Sequence, residues 1–274
     1  MKYTVITSFN SEGLKQYGQR MIDTFEANWP AEVDLIVCAE NCKPITRRPN
    51  TQVHDLLGVS SNLRAFVERH RNNPKAHGLD GPPDVWNPKK SFRWNAVRFS
   101  YKVFSVALCE KELSDGYMIW LDADSHTHTP VPIEWLSVVC PAESMISYLG
   151  RGEKYHSECG WVGYNLTHPA TRDFIREFVG MYNTDKIFDE REWHDSYIWD
   201  VVRRNHDNSK FFNLNPSWQD KGLAGHPFIN SELGKYMDHV KGERKLQGMS
   251  RSKEVIMHTD HPYWKKVIQQ RGKK

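Results

Sequence analysis

The chain has 274 residues, of which 39% are hydrophobic and 26% charged, a balance that excludes a disordered chain and a small disulfide scaffold. Its 37 Lys and Arg against 34 Asp and Glu give a net charge of +3, too small a bias to require a nucleic-acid partner. The mean hydropathy is -0.68, and no apolar run approaches the roughly 20 residues that cross a bilayer. The sequence therefore predicts a soluble globular protein without a transmembrane segment.

The cysteines and the N-terminus predict a reducing environment. The five cysteines are odd in number and scattered, which is typical of reduced structural thiols. Residues Met1 to Ser8 lack the charged, apolar and small-residue regions of a secretory signal, so we expect a cytoplasmic protein. Cys38, Cys42 and His54 are an alternative zinc ligand set, but the fourth ligand of a structural zinc site is not evident.

The first 40 residues predict a βαβ unit. Residues 3 to 8 form an apolar run typical of a buried strand, and apolar residues then recur at helical spacing from Leu14 to Phe25. Val33 to Cys38 is a second apolar strand. Two such strands joined by a helix favour a parallel sheet with helices on its faces, and thus an α/β fold.

The segment 41–92 interrupts this pattern. Turn signals such as Asn72-Asn73-Pro74 surround one predicted helix, Asn62 to His70, and we interpret the segment as an insertion. Regular structure returns with a helix from Trp94 to Leu108 and a strand from Tyr117 to Leu121.

Beyond this strand the pattern predicts four further elements and then weakens. They are two short strands, Met145 to Leu149 and Trp161 to Tyr164, and two helices, Phe174 to Tyr182 and Tyr197 to Val202. We therefore expect one α/β domain over residues 1–250, with a mostly parallel central sheet and a less regular C-terminal part. Residues 251–274 read as a basic C-terminal extension.

Two carboxylates follow the predicted strand Tyr117 to Leu121. Asp122 and Asp124 come directly after it, and in an open parallel sheet that edge is where ligands bind. Residues two apart on an extended chain point to the same side, so both can face one hard cation such as Mn²⁺ or Mg²⁺. Two acids after a strand are also common as helix caps or solvated turns, so this pair alone leaves both interpretations open.

A second polar motif, His239 to Lys245, has the pattern H-x-x-G-x-x-K. The His239 imidazole is a possible third metal ligand, and Gly242 allows the backbone to approach a phosphate closely. The Lys245 ammonium can neutralise the charge of a leaving diphosphate. A polar surface loop is the alternative interpretation of the same residues.

Together the two motifs resemble the glycosyltransferases of the GT-A fold, in particular the glycogenin-like family 8 of retaining enzymes that use nucleotide-sugar donors. Thr4 to Ser8 resembles the nucleoside-binding opening of that family, which implies donor contacts for Thr7, Ser8 and Phe9. Lys102 stands on the helix before the metal strand, where that family carries a lysine near the donor. The resemblance extends from residue 3 to about 246 and is sparse between the motifs.

The resemblance implies a site and an activity. Its metal ligands would be Asp122, Asp124 and His239, with Mn²⁺ or Mg²⁺ as cofactor, and Asp122, Gly242 and Lys245 would contact the donor. The implied reaction moves a sugar from a UDP-sugar to an acceptor with retention of configuration. The chain departs from the family pattern in two places: Val240 and Leu246-Gln247 stand at its aromatic and Pro-Trp positions, and the segment 41–92 has no counterpart in it.

Two motifs between the metal residues resemble sugar-binding segments of such enzymes. Glu158 to Asn165 is similar to the turn and strand that close over the donor sugar, where Trp161 either stacks on a sugar face or fills a half-buried strand. Glu192-Trp193-His194-Asp195-Ser196 is similar to the Trp-His-Asp-Glu run of retaining galactosyltransferases, with Ser196 in place of their Glu. Asp195 is thus the first candidate for the carboxylate that contacts the sugar hydroxyls or the acceptor, and Glu158 the second. The alternative interpretation of either residue is a helix N-terminal acid that stabilises the helix dipole.

Two other functions fit parts of the pattern. A sugar-phosphate nucleotidyltransferase uses a related sheet and paired carboxylates, but the loop from Thr7 to Gly13 lacks the basic, glycine-rich character expected there. A non-catalytic carbohydrate- or nucleic-acid-binding module is the third interpretation, favoured by the high aromatic content. The acceptor is left open among a glycan, a protein, a lipid-linked sugar and modified DNA, as is the oligomeric state.

Overall fold

The computed structural model describes residues 1–79, 91–152, 155–216 and 225–269. Its centre is a seven-stranded sheet with the strand order β3-β2-β1-β4-β7-β6-β8, and β5 pairs with β9 in a separate ribbon. The strands are β1 Tyr3–Asn10, β2 Asp34–Glu40, β3 Thr51–Asp55, β4 Tyr117–Leu121, β5 Ser125–Thr127, β6 Ile146–Leu149, β7 Glu158–Asn165, β8 Phe211–Asn213 and β9 Met237–His239. Every pairing within the large sheet is parallel except the two made by β7, so the predicted mostly parallel sheet is confirmed.

Helices cover both faces of this sheet. They are α1 Ser11–Gly13, α2 Gln19–Asn28, α3 Leu56–Val59, α4 Ser61–Arg69, α5 Ala96–Glu112, α6 Ile133–Val139, α7 Thr171–Asn183, α8 Asp195–Arg203, α9 Arg244–Gln247 and α10 Pro262–Gln269. A π-helical turn, Leu14–Gly18, joins α1 to α2. None of the helices within the described residues has the length and apolar character that a membrane crossing demands.

Side-chain alternation along the strands divides the core into two layers. On β4, Met118 and Trp120 pack with α4, α5, α7 and α8, whereas Ile119 and Leu121 pack with α2, α6 and α10. Because successive side chains of a strand point to opposite faces, a strand buried on both sides has a continuous apolar sequence. This explains why β1, β2 and β4 were recognisable from the sequence.

Two elements lie where the sequence predicted little regular structure. Strand β3, Thr51–Asp55, falls inside the segment interpreted as an insertion and pairs in parallel with β2. Its residues are half-buried or exposed, as befits an edge strand, so it has no apolar run to reveal it. Helix α10 buries Trp264 and Val267 in the core, and the segment named as a C-terminal extension therefore packs on the domain up to residue 269. Residues 80–90 of the insertion and 270–274 of the extension lie outside the described residues.

Candidate active site at the carboxyl edge of the sheet

The acidic pair lies at the edge where the parallel strands end. Asp122 follows the last residue of β4, and its backbone N–H donates to the carbonyl of Gly160 at 2.9 Å. Because β7 is antiparallel to β4, with Leu121 opposite Trp161, the beginning of β7 meets the end of β4. This register places Glu158 beside the acidic pair.

The β5–β9 ribbon brings the distant imidazole to the same place. His239 is opposite Ser125 in the ribbon, and the Val240 N–H donates to the carbonyl of Asp124 at 2.9 Å. His239 Nε2 consequently lies 3.0 Å from Asp124 Oδ1 and 3.6 Å from Asp122 Oδ2. The structure thus brings together three residues that the two sequence motifs singled out separately.

Gly160 makes this approach sterically possible. A Cβ atom at this position would lie 2.5 Å from His239 Cε1 and 2.8 Å from Nδ1. Contacts this short do not occur in folded proteins, so any side chain at residue 160 would displace the imidazole. The sequence analysis assigned no role to this glycine, although it lies within the Glu158 to Asn165 motif.

Three lysines form ion pairs with the carboxylates of the site. Lys102 Nζ lies 3.1 Å from Asp122 Oδ1 and 2.8 Å from Asp195 Oδ2, so it links the acidic pair to the start of α8. Lys245 Nζ lies 3.0 Å from Asp124 Oδ2. The Lys245 ammonium also lies over a tyrosine ring, that of Tyr17, at 4.4 Å from its centre.

The third lysine is Lys241, which donates a hydrogen bond to Glu158 Oε1. Lys241 occupies a variable position of the H-x-x-G-x-x-K pattern, so the pattern does not single it out. The Glu158 side chain is only 5% exposed, and a carboxylate this buried needs a basic partner. That need is the one signal for Lys241.

The basic groups keep the buried carboxylates ionised. Burial alone would raise the pKa of Asp124, but His239 and Lys245 outweigh it and hold this pKa well below its usual range. Burial opposes ionisation of Glu158 as well, and Lys241 followed by His239 lowers its pKa in the same way. For Asp195, burial is outweighed by Lys102 and the pKa is again lowered.

The formal charges of the site do not cancel. Asp122, Asp124, Glu158 and Asp195 supply four negative charges, and the three lysines compensate all but one when His239 is counted as a neutral metal ligand. A dianionic diphosphate entering this site would therefore meet net negative charge, and a divalent cation would reverse that sign.

The donor atoms fit a hard divalent ion. Asp122, Glu158 and His239 each offer one ligand atom, and these three atoms lie within 4.8 Å of one another. His239 is fully buried, and its Nδ1 has no hydrogen-bond partner within the described residues. Carboxylate oxygens joined by one imidazole nitrogen suit Mn²⁺ or Mg²⁺. Asp124 Oδ1 lies 3.0 Å from His239 Nε2, so its carboxylate is a possible fourth ligand and the third acidic one.

The other residues expected to contact a donor differ in accessibility. The Thr7 hydroxyl is buried without a partner within the described residues, and the Ser8 hydroxyl donates to Glu40. Phe9 is buried in the core. Gly242 is exposed, with a positive φ of 58° at the turn before α9. None of these four lies in the cluster of ion pairs.

Trp161 is fully buried and packs edge-on against Trp135, with ring centres 6.2 Å apart. Of the two interpretations that the sequence left open for this residue, the packing favours the strand-filling one over stacking on a sugar. The ring is part of the core layer that contains Leu121 and α6.

The alternative zinc set is not assembled. Cys38 Sγ lies 3.7 Å from Cys109 Sγ, Cys42 points to the Phe9 carbonyl, and His54 pairs with Glu112. All five cysteines are free thiols. Each member of the proposed set therefore has a different partner.

Comparison with known proteins places the fold. No family model matches the sequence, and no curated protein matches it. The chain is similar to the apo structure of the bifunctional glycosyltransferase WbbM, with a TM-score of 0.51 and 10% identity, covering 98% of this chain and 51% of that one.

Two further solved structures show weaker similarity. One is mouse xyloside xylosyltransferase 1, with a TM-score of 0.46, 11% identity and coverage of 81% of this chain and 91% of that one. The other is GlyE of Streptococcus pneumoniae TIGR4, with a TM-score of 0.44, 10% identity and coverage of 78% and 46%. The chain spans about half the length of WbbM, and at this identity their similarity is one of fold. The protein thus has an α/β fold that is also found in a glycosyltransferase.

Proposed function

We propose that this protein is a metal-dependent glycosyltransferase that moves a sugar from a nucleotide-sugar, specifically a UDP-sugar, to an acceptor. The observation that carries the proposal is the convergence of Asp122, Asp124 and His239 at the carboxyl edge of a fold shared with a glycosyltransferase. In open α/β sheets this edge is the usual ligand site. Membership of the glycogenin-like family 8 is part of the proposal and rests on the sequence motifs.

The cation would be Mn²⁺ or Mg²⁺, held by Asp122, Asp124 and His239 with Glu158 beside them. Bound there, it would supply the positive charge that the diphosphate of the donor requires. The protein's own contribution is to hold the carboxylates in place, through the ion pair of Lys102 with Asp122 and that of Lys241 with Glu158.

Lys245 is the residue proposed to receive the charge of the departing diphosphate. In the free protein its ammonium is shared between Asp124 and the Tyr17 ring, so it is already oriented beside the cation site. Transfer of its hydrogen bonds to phosphate oxygens costs little reorganisation, and this is the feature of an effective electrostatic catalyst.

Asp195 is proposed to hold the donor sugar or the acceptor hydroxyl. It begins α8, is 6% exposed, and is tied to the acidic pair through Lys102. Glu158, the second candidate, is committed to Lys241 and lies among the proposed metal ligands, so we assign it a binding role. Since Ser196 stands where retaining galactosyltransferases have a glutamate, we propose retention by attack on the same face without a protein nucleophile.

A cytoplasmic location is proposed from the five free thiols. The acceptor belongs to one of four classes, a glycan, a protein, a lipid-linked sugar or modified DNA.

The test is a screen of nucleotide sugars for metal-dependent release of nucleoside diphosphate. The protein, treated with a chelator and then supplied with Mn²⁺, should release UDP from a UDP-sugar. Release of pyrophosphate from UTP and a sugar phosphate would instead identify a nucleotidyltransferase. Carbohydrate binding without dependence on metal or nucleotide would identify a binding module. Once an acceptor is found, NMR of the product linkage decides between retention and inversion.

A further inference from the structure

A second cluster of ligand-type side chains lies outside the site described above. Glu192 Oε2 is 3.0 Å from His194 Nε2 and 3.6 Å from His156 Nε2. One ligand atom from each of the three residues lies within 4.8 Å of the others. We call His156, Glu192 and His194 the histidine cluster. The proposed donor and metal residues include none of its members.

The protein backbone holds these three residues in place. His156 precedes Ser157, whose N–H and hydroxyl both bond to Asp200 of α8, at 2.8 and 2.7 Å. Glu192 and His194 flank Trp193, which is buried and whose N–H donates to the Arg93 carbonyl at 2.7 Å. Two anchored backbone segments therefore position the histidine cluster, and its geometry does not depend on long flexible side chains.

The cluster is open on one side. Glu192 and His194 have side-chain exposures of 10% and 7%, whereas that of His156 is 25%. Arg191 approaches the other carboxylate oxygen of Glu192, Oε1, at 3.8 Å. The Oε2 atom therefore faces the two imidazoles, of which His156 is the more exposed.

Two hydrogen bonds of His194 must change on binding. Nε2 lies 3.0 Å from Glu192 Oε2, and Nδ1 accepts the Tyr197 N–H at 3.3 Å as the N-cap of α8. A ring that binds the ion through Nε2 carries its proton on Nδ1, so the Tyr197 N–H loses its acceptor. The bonds from the ion to Nε2 and to the Glu192 carboxylate must outweigh both losses.

We propose that His156, Glu192 and His194 form a second metal site, for Zn²⁺, separate from the carboxylate site at the sheet edge. Two imidazole nitrogens and one carboxylate oxygen are a ligand set typical of zinc sites that keep a coordination position open. The partly exposed His156 side leaves room for a water molecule or a substrate hydroxyl in that position. Since His194 directly precedes Asp195, the ion would lie at the α8 side of the proposed transfer site.

The test measures metal binding and does not depend on sugar transfer, so its failure is distinguishable from failure of the proposed function. The full chain is stripped with a chelator, exchanged into metal-free buffer, and titrated with Zn²⁺ by calorimetry and elemental analysis. The expected result is that His156→Ala and Glu192→Gln each remove one equivalent of Zn²⁺ or weaken it by more than ~100-fold. Glu192→Gln is isosteric, and circular dichroism checks that both variants are folded.

Two matched variants locate the ion. His54→Ala removes the histidine of the alternative cysteine-containing set, and Asp124→Asn alters the carboxylate site; both should retain the equivalent that His156→Ala removes. Substitution with Co²⁺ should give visible absorption bands without the strong near-ultraviolet band of thiolate ligation. Equal Zn²⁺ binding by wild type, His156→Ala and Glu192→Gln would overturn the proposal, as would loss of the same equivalent in His54→Ala or Asp124→Asn.

Discussion

Two clusters of ligand-type residues adjoin the ion pair between Lys102 and Asp195. Lys102 also pairs with Asp122 of the carboxylate site, and Asp195 directly follows His194 of the histidine cluster. The two clusters differ in charge and in donor atoms. The carboxylate site, Asp122, Asp124, Glu158 and His239, pairs with three lysine ammonium groups. The histidine cluster has two imidazoles and one carboxylate, and within the described ranges its ion pairs include no lysine. The first is suited to a hard cation together with an anionic ligand, the second to a borderline cation with a neutral ligand.

The difference also concerns stability. A lysine that neutralises a buried carboxylate cannot be removed without leaving a charge unpaired, whereas the two imidazoles of the histidine cluster share one carboxylate, that of Glu192. The carboxylate site should therefore be sensitive to loss of any one lysine even before catalysis is considered. The predictions below test this contrast.

The largest effect is expected for Lys102, which pairs with two carboxylates at once. Lys102→Met should lower the free energy of unfolding by about 3–5 kcal/mol, because Asp195 is left buried without a counter-charge. Urea denaturation of the metal-free protein measures this change. Adding Asp195→Asn to the variant should recover part of the loss. If the single variant is as stable as wild type, the ion pairs do not have the role assigned here.

Asp124 tests the same site through turnover. Asp124→Asn keeps the shape of the side chain but removes the charge that faces His239 and Lys245, so turnover of the nucleotide sugar should fall by ~10²–10³-fold. Asp115→Asn, an exposed acid before the β4 strand, is the matched control and should retain full activity. Near wild-type turnover of Asp124→Asn at saturating Mn²⁺ would contradict the assignment.

Gly160 tests whether the imidazole must approach the acidic pair. In Gly160→Ala the new methyl would lie 2.5 Å from His239 Cε1, so the ring must move away and the Mn²⁺ concentration for half-maximal turnover should rise about tenfold. Overpacking should also lower the free energy of unfolding by about 1–3 kcal/mol.

Gly180→Ala is the control for this substitution, since among the described residues no atom outside the adjoining backbone of α7 lies within 4 Å of a Cβ placed there. It lies within α7, where alanine is the better helix former, so this variant should be as stable as wild type or slightly more so. An unchanged Mn²⁺ titration in Gly160→Ala would indicate that His239 does not bind the ion.

Much of the fold could be predicted because its central strands are buried on both faces. β4 is a continuous apolar run, the interior of β2 is apolar, and β1 carries Val5, Ile6 and Phe9 among small hydroxyl residues. The two acids that follow β4 mark the carboxyl edge of the sheet. The edge strand β3 could not be predicted in this way, because its side chains are half-buried or exposed. Helix α10 was missed for a different reason: only Trp264 and Val267 are buried, too few to establish a period.

The site was predictable in its motifs but not in its pairings. Asp122, Asp124, His239 and Lys245 stand in recognisable patterns, and the structure brings them together. Lys241 could not be foreseen, because which carboxylate it meets depends on how β7 lies against β4. The histidine cluster was hidden for the same reason, since His156 and Glu192 are joined only by tertiary packing.

The smallest expected effect is a loss of folding stability in acid, which limits the pH range in which the two clusters can be compared. His128 stacks on Tyr263 of α10 with ring centres 3.9 Å apart, and burial together with His261 lowers its pKa to about 3. The imidazole is thus neutral in the folded protein, while the unfolded chain binds a proton below about pH 6.5. The free energy of unfolding should therefore be at its full value above pH 6.5 and fall as the pH is lowered toward 3.

For one such group the slope is at most about 1.4 kcal/mol per pH unit. Urea denaturation at pH 7.0 and 5.5 measures it, and His128→Phe, which keeps a ring against Tyr263, should reduce the difference between the two values. An identical pH dependence in this variant would mean that other groups destabilise the fold in acid. Because the loss begins below pH 6.5, metal titrations of the carboxylate site and the histidine cluster should be compared at pH 7 or above, where ligand protonation and unfolding do not overlap.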